Sequence, residues 1–324
     1  MSHITGEQDK GISMTENKKE EDVVIIGSGP AGLTAALYTS REGFGPIVIE
    51  GTTAGGQLLL TNIVENFPGF PGGIYGGELI SMIRKQAERF GTRFVSGDVT
   101  GVDFSSRPFR IMVGDDTYAA KSVIIATGAS AKWLEIETER KFIGKGVSSC
   151  ATCDGPFFKS KTVVVVGGGD TAMEDSVFLT KFAKSVTIVH RRDQFRASKI
   201  MQERMESNGH IKVIWDSVVE EIIGKEKVSG VVINNLKTGK KTTLEADGIF
   251  VAIGDIPNTS FLKGKIKLDE KGYIAAREEV VTEIDGVFAA GDVVDHIYKQ
   301  AVTAAGSGAK AALRVRDYLN RQRE

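Results

Sequence analysis

A buried apolar strand, a glycine-rich turn, a helix and a second strand occur in that order twice in this 324-residue chain, and the repeat constrains the fold more than any other feature. The first copy begins at Asp22 and reads VVIIGSGPAGLTAALYTSREGFGPIVIE. Its strand enters the turn Gly27-Ser28-Gly29-Pro30-Ala31-Gly32, a helix follows that closes at Gly43, and a strand runs from Pro46 to Glu50. The second copy, TVVVVGGGDTAMEDSVFLTKFAKSVTIVHRR from Thr162, has the same grammar. Each copy ends on an apolar strand that stops at a glycine, VIIATG at 123–128 and IFVAIG at 249–254. A third cluster, GVFAAGDV at 286–293, has no strand-helix-strand unit of its own and is expected to return to the first copy. Between the copies the pattern predicts a helix from about Glu78 to Phe90, then short strands from Thr92 to Tyr118 as an antiparallel layer, then a strand from Val123 to Ala126. The expectation is an α/β protein with two Rossmann-like, three-layer ββα dinucleotide-binding domains. One, discontinuous, comprises residues 22–128 and 256–324; the other, residues 129–255, is inserted into it; residues 1–21 form a flexible polar tail.

Composition narrows the function. Lysine and arginine number 41 against 42 aspartates and glutamates, for a net charge of −1, so a basic nucleic-acid footprint is not expected. No apolar run reaches the ~18 residues of a membrane span, and the stretch Met1 to Glu21 lacks the apolar core of a secretory signal. A cytoplasmic protein is expected. The two cysteines, Cys150 and Cys153, form a Cys-x-x-Cys. Two cysteines in a chain this long are no disulfide scaffold. None of the four histidines sits at ligand spacing from them, so no metal site is expected, and Asp154 stands where haem attachment needs a histidine. A redox dithiol or two incidental thiols remain.

The two glycine turns differ in the charge that accompanies them. Gly27 to Gly32 is a G-x-G-x-x-G with Glu50 closing the next strand, the arrangement in which glycines admit a pyrophosphate to a helix N-terminus and a carboxylate accepts from ribose hydroxyls. In the second turn, Gly167-Gly168-Gly169-Asp170-Thr171-Ala172, alanine takes the third glycine position. The strand after it ends in His190-Arg191-Arg192, with Arg196 close behind. Guanidinium groups there suit a 2′-phosphate, which an acidic residue would repel. One site of each kind implies FAD and NADPH.

Together with these turns, the loop GGQLLLTNIVENFPGFPGG, the ATG at 126–128, CATCDG at 150–155, HRRDQFRAS at 190–198, and GVFAAGDV with KQAVTAAGSG in 286–308 resemble the low-molecular-weight thioredoxin reductases over nearly everything from Asp22 onward. The resemblance implies that Cys153 lies against the flavin, that Cys150 attacks the partner disulfide, and that Asp154 is the acid/base beside them. It places further FAD contacts on Gln57, Asn66, the backbone near Val99, Ala126, Thr127, Gly128, Gly291, Asp292, and Gln300-Ala301-Val302. NADPH contacts fall on the second turn, on His190, Arg191, Arg192 and Arg196, and on Ile253. It also implies a homodimer with thioredoxin as substrate. A related flavoprotein disulfide reductase acting on a peroxiredoxin, a glutaredoxin-like protein or a small-molecule dithiol would carry the same motifs, as would a flavin-bound redox sensor. Two features depart from the pattern: Lys299 stands where arginine is usual, and the polar extension before Asp22 has no counterpart. If nicotinamide and dithiol take turns at the flavin, the inserted domain must rotate, with hinges expected near Gly128 to Ala131 and Gly254 to Asn258.

Overall fold

The computed structural model describes residues 20–324; most of the expected polar tail lies outside the described residues. Its last two residues do not belong to a tail. The first strand, Glu20–Ile26, starts with them, and Glu21 is buried in an ion pair with Arg93.

Two sheets, the first mixed and the second parallel, are built around the two repeats. In the first, the strands run in the order Arg93–Val95, Ile47–Ile49, Glu20–Ile26, Asp116–Ile125, Phe109–Val113, Val99–Asp103. Val23 to Ile26 are buried because helices cover one face of this sheet and other apolar chain covers the second, which explains the continuous apolar run. The strand Asp116–Ile125 is much longer than its apolar end suggests. Its first half pairs antiparallel with Phe109–Val113, while Val123 to Ile125 pair parallel with the late strand Val287–Ala289. The third glycine cluster therefore does return to the first sheet. The expected antiparallel layer starts later than Thr92: Arg93–Val95 is the parallel edge strand beside Ile47–Ile49. The helix between the copies spans Gly76–Glu88, beginning two residues before the expected start.

The second sheet is wholly parallel, in the order Val147–Ser148, Gly248–Ala252, Thr162–Gly167, Ser185–Val189, Ile211–Ile214, with a three-stranded antiparallel layer, Ser217–Gly224, Val228–Asn235 and Lys241–Glu245, against it. The chain crosses between the two sheets twice, and the crossings pair as an antiparallel ribbon, Ala129–Ala131 with Asp255–Pro257. Asn258 ties the ribbon's end: its amide donates to the Thr127 carbonyl at 2.9 Å, and its own carbonyl accepts from the Thr127 hydroxyl at 2.8 Å. No helix among the described residues is long and apolar enough to cross a membrane.

The C-terminal helix Ala301–Arg321 lies on the first glycine-turn helix, Pro30–Arg41. Alanines and glycines at the crossing let the backbones approach closely; a Cβ on Gly308 would overlap the Ala31 carbonyl oxygen and lie 2.9 Å from its carbon. This crossing fixes where the C-terminal helix begins, and its N-cap, Gln300, reaches the candidate site.

Candidate active site

Both glycine turns have the shape that a pyrophosphate requires. In the first, a Cβ at Gly27 would lie 2.7 Å from the Ala126 carbonyl carbon, and one at Gly32 would lie 2.9 Å from that of Gly27, so strand, turn and helix close on one another only without side chains. At Gly29 and Gly169, by contrast, an added Cβ would meet nothing within 4 Å: the second glycine of each turn faces open space, where a phosphate can approach the helix N-terminus. Ser28 braces the first turn. Its buried hydroxyl donates to the Glu50 carbonyl at 3.1 Å and accepts from the Gly55 amide at 2.9 Å. Glu50 pairs with Arg84, Val99 opens the outermost strand of the same sheet, and Ala126, Thr127 and Gly128 run from that sheet into the ribbon.

The second turn divides what looks like one basic cluster in the sequence. Arg191, Arg192 and Arg196 are exposed, and the Arg196 amide donates to the Gly168 carbonyl at 2.8 Å, tying the basic segment to the turn. The Asp170 carboxylate accepts from the amide and the hydroxyl of Ser198 at 2.7 and 2.9 Å, so it organises this segment. His190 differs from its neighbours. Its ring is buried beside Phe195 and Trp215, occupies the space a Gly168 Cβ would need, and donates from Nε2 to the Gln194 carbonyl at 3.1 Å. Burial and then the nearby arginines pull its pKa below the usual histidine value, so it braces the turn rather than adding a fourth cation to the three arginines. Ile253 packs among the apolar residues beneath the sheet's end.

Cys150 and Cys153 form a disulfide, with Cα atoms 5.3 Å apart, across the single turn Ala151–Asp154. Cys150 caps that turn: its sulfur accepts the Cys153 amide at 3.3 Å. Thr152 is exposed between the two cysteines, while Asp154 turns inward, where burial raises its carboxyl above the usual range and a hydrogen bond from Ser148 pulls it partly back. The Cys153 sulfur is 4.0 Å from Gln300 Oε1. Gln300 joins three parts of the chain. Its Nε2 donates to the Thr152 hydroxyl at 3.2 Å, its Oε1 accepts from Asn66 Nδ2 at 3.1 Å, and it forms a reciprocal capping box with Thr303 at the start of the C-terminal helix. Ala301 and Val302 follow in that first turn, and Gln57 is exposed in the short 3₁₀ turn Gly56–Leu60. The Asn62 side chain donates to the Gly144 carbonyl, a second contact between the two units.

Three features of the site were not evident from the sequence. Lys299, in a left-handed conformation at φ 47°, pairs with Asp255 on the ribbon. Although burial opposes its charge, the Asp255 hydrogen bond and the surrounding carboxylates hold its pKa above the usual lysine value. Asp175 and Asp292 face the same region; burial, then their acidic neighbours, push them up to about 7 and about 6. Arg84 beside Glu50 is the third. No local signal marks these pairs, because 44 and 34 residues separate their members in sequence.

Two nucleotide-type turns, one with a carboxylate and one with exposed guanidiniums, bracket a disulfide that one unit carries and the other contacts: the arrangement of a nucleotide-dependent disulfide oxidoreductase. The pyridine nucleotide-disulphide oxidoreductase family matches residues 21–308, and the chain belongs to it. A thioredoxin reductase of Rickettsia felis is 51% identical over 304 residues, covering 92% of this chain and 98% of that protein. The crystal structure of thioredoxin reductase from Streptococcus pyogenes superposes with a TM-score of 0.90 at 43% identity, covering 93% of this chain and 99% of that one. A Lactococcus lactis thioredoxin reductase described as in the FR conformation has 42% identity and the same coverages but a TM-score of 0.64.

Proposed function

We propose that the chain is an NADPH-dependent, FAD-containing thioredoxin reductase. Its FAD domain would comprise residues 22–128 with 256–324, and its NADPH domain residues 129–255, with the ribbon as the hinge. The observation that carries the reading is the Cys150–Cys153 disulfide held against Gln300 at the start of the helix that closes the first unit. Gly27 to Gly32, Glu50, Gln57, Asn66, Val99, Asp292 and Gln300 to Val302 would hold FAD; Gly167 to Thr171, with Arg191, Arg192 and Arg196, would hold NADPH. Bound flavin supplies the transfer of an electron pair from the nicotinamide to the disulfide.

Cys153, the sulfur facing Gln300, would receive that pair as its bond to Cys150 breaks, leaving Cys150 as a thiolate. Asp154, whose raised pKa lets it hold a proton closer to neutrality than an exposed aspartate, would protonate the thiolate that the thioredoxin disulfide releases. The Cys150 thiolate attacks a thioredoxin disulfide to give a mixed disulfide, and Cys153 then displaces the reduced partner and restores the Cys150–Cys153 bond. Because the pair faces the first unit here, a protein partner needs the second unit to swing on its ribbon. Gly128 and Gly254, both at positive φ with space for a Cβ, suit that movement. The drop in TM-score between two relatives of nearly equal identity and coverage supports two placements of the units.

The test is to follow NADPH oxidation by the purified, flavin-loaded protein with and without thioredoxin. Cys150→Ser is expected to keep flavin reduction by NADPH and to lose thioredoxin turnover. Full turnover without Cys150 would remove the dithiol from the mechanism.

A further inference from the structure

Glu50 follows the second strand of the first unit, and its side chain is only 7% exposed. Its Oε1 is taken by Arg84 of the helix Gly76–Glu88, and no other hydrogen bond to this carboxylate is made among the described residues. Oε2 has no partner among the described residues and is not among the fully enclosed, unsatisfied polar atoms. Arg84 is itself fixed on three sides. Its Nε donates to Glu88 Oε1 at 2.9 Å, its guanidinium lies 3.9 Å from the centroid of the Phe94 ring, and the Glu50 pair completes the set. Phe94 stands on the strand beside Ile47–Ile49, so helix, edge strand and strand end converge on this one group.

Without a partner the carboxylate could turn to another rotamer, and the charge-assisted bond from Arg84 to Oε1 holds it in this one. A lysine would supply the charge but neither the planar surface for Phe94 nor the second donor for Glu88. We infer that Arg84 is a positioning residue of the adenosine end of the flavin site: by holding Oε1 it keeps Glu50 turned so that Oε2 meets the ribose hydroxyls, without touching the isoalloxazine end. The inference rests on the FAD reading of the first turn.

The experiment titrates flavin-free protein with FAD and, separately, with FMN, which lacks the adenosine, reading flavin fluorescence. Arg84→Met is expected to weaken FAD binding roughly 10- to 100-fold, the range for a lost charge-assisted hydrogen bond, with FMN binding unchanged. Arg84→Lys should fall between wild type and Arg84→Met, and serves if the methionine variant does not fold. In a Glu50→Gln background, adding Arg84→Met should change FAD binding less than twofold, because the group Arg84 orients is no longer an anion. Equal losses for FAD and FMN, an unchanged FAD affinity, or full additivity with Glu50→Gln would each overturn the inference and leave Arg84 a scaffold residue. Wild-type protein that takes up no FAD would instead overturn the reading beneath it.

Discussion

Gly308 and Gly306 lie two residues apart in the same helix, and replacing each with alanine should move stability in opposite directions. Intrinsic helix propensity favours alanine over glycine by about 1 kcal/mol at an interior position. At Gly306, which is exposed and where a Cβ would meet nothing within 4 Å, that gain stands. At Gly308 the new Cβ would overlap the Ala31 carbonyl oxygen and lie 2.9 Å from its carbon and 3.1 Å from its Cα. Ordinary carbon contacts begin near 3.5 Å, so the helices must part by about 0.6 Å or more. The obstacle is backbone, which cannot rotate aside, so the overpacking cost falls at or above the upper end of the usual range, about 3 kcal/mol. The net expectation for Gly308→Ala is a loss of roughly 2 kcal/mol, and the two variants should differ by about 3 kcal/mol. The assay is urea unfolding of the holoprotein followed by flavin release. That readout is preferable to tryptophan emission, since Trp133 and Trp215 both pack in the second unit. The first turn of the same helix carries Gln300 to Val302, so Gly308→Ala should also release flavin at lower urea than the control. If Gly308→Ala is as stable as Gly306→Ala or more so, the close crossing of the two helices is wrong.

Further expectations concern charge. Replacing Arg191 and Arg192 by glutamine should shift the ratio of kcat/KM for NADPH over NADH toward NADH by about 1.5–3 kcal/mol, the value of hydrogen bonds to a charged group. An unchanged ratio would refute a phosphate clamp on these residues. Asp175 is raised to about 7 in the folded chain from 3.8, so the stability tied to its protonated form is full below pH 3.8 and is lost as pH rises through 7. Asp175→Asn should thus gain on wild type as pH rises from 4 to 8, by up to about 4 kcal/mol. Parallel stability curves for the two proteins over that range would show that the carboxyl titrates normally.

The local elements were legible because each rests on short-range geometry. Gly27 and Gly32 must lack side chains for strand and helix to close on the turn, and four consecutive valines at 163–166 suit only a strand covered on both faces. The Cys-x-x-Cys spacing brings two sulfurs within bonding distance over one helical turn, as observed. Less was legible where polar residues continue an element: the strand Asp116–Ile125 carries Lys121 and Ser122 in the part that periodicity passed over. The burial of His190 was not legible for a related reason: its aromatic neighbours Phe195 and Trp215 come from later in the chain.

By itself, then, the sequence determined the two nucleotide-type units and the dithiol, since φ/ψ freedom, apolar period and cysteine spacing act over a few residues and need no partner; the return of the third glycine cluster followed from its having no strand-helix-strand unit of its own. Only the tertiary structure decided what those parts face: Cys153 against Gln300 across 147 positions, Lys299 against Asp255, Arg84 against Glu50. Such contacts depend on how two sheets and a returning helix pack, and the strength of a buried charge pair depends on the burial that packing creates.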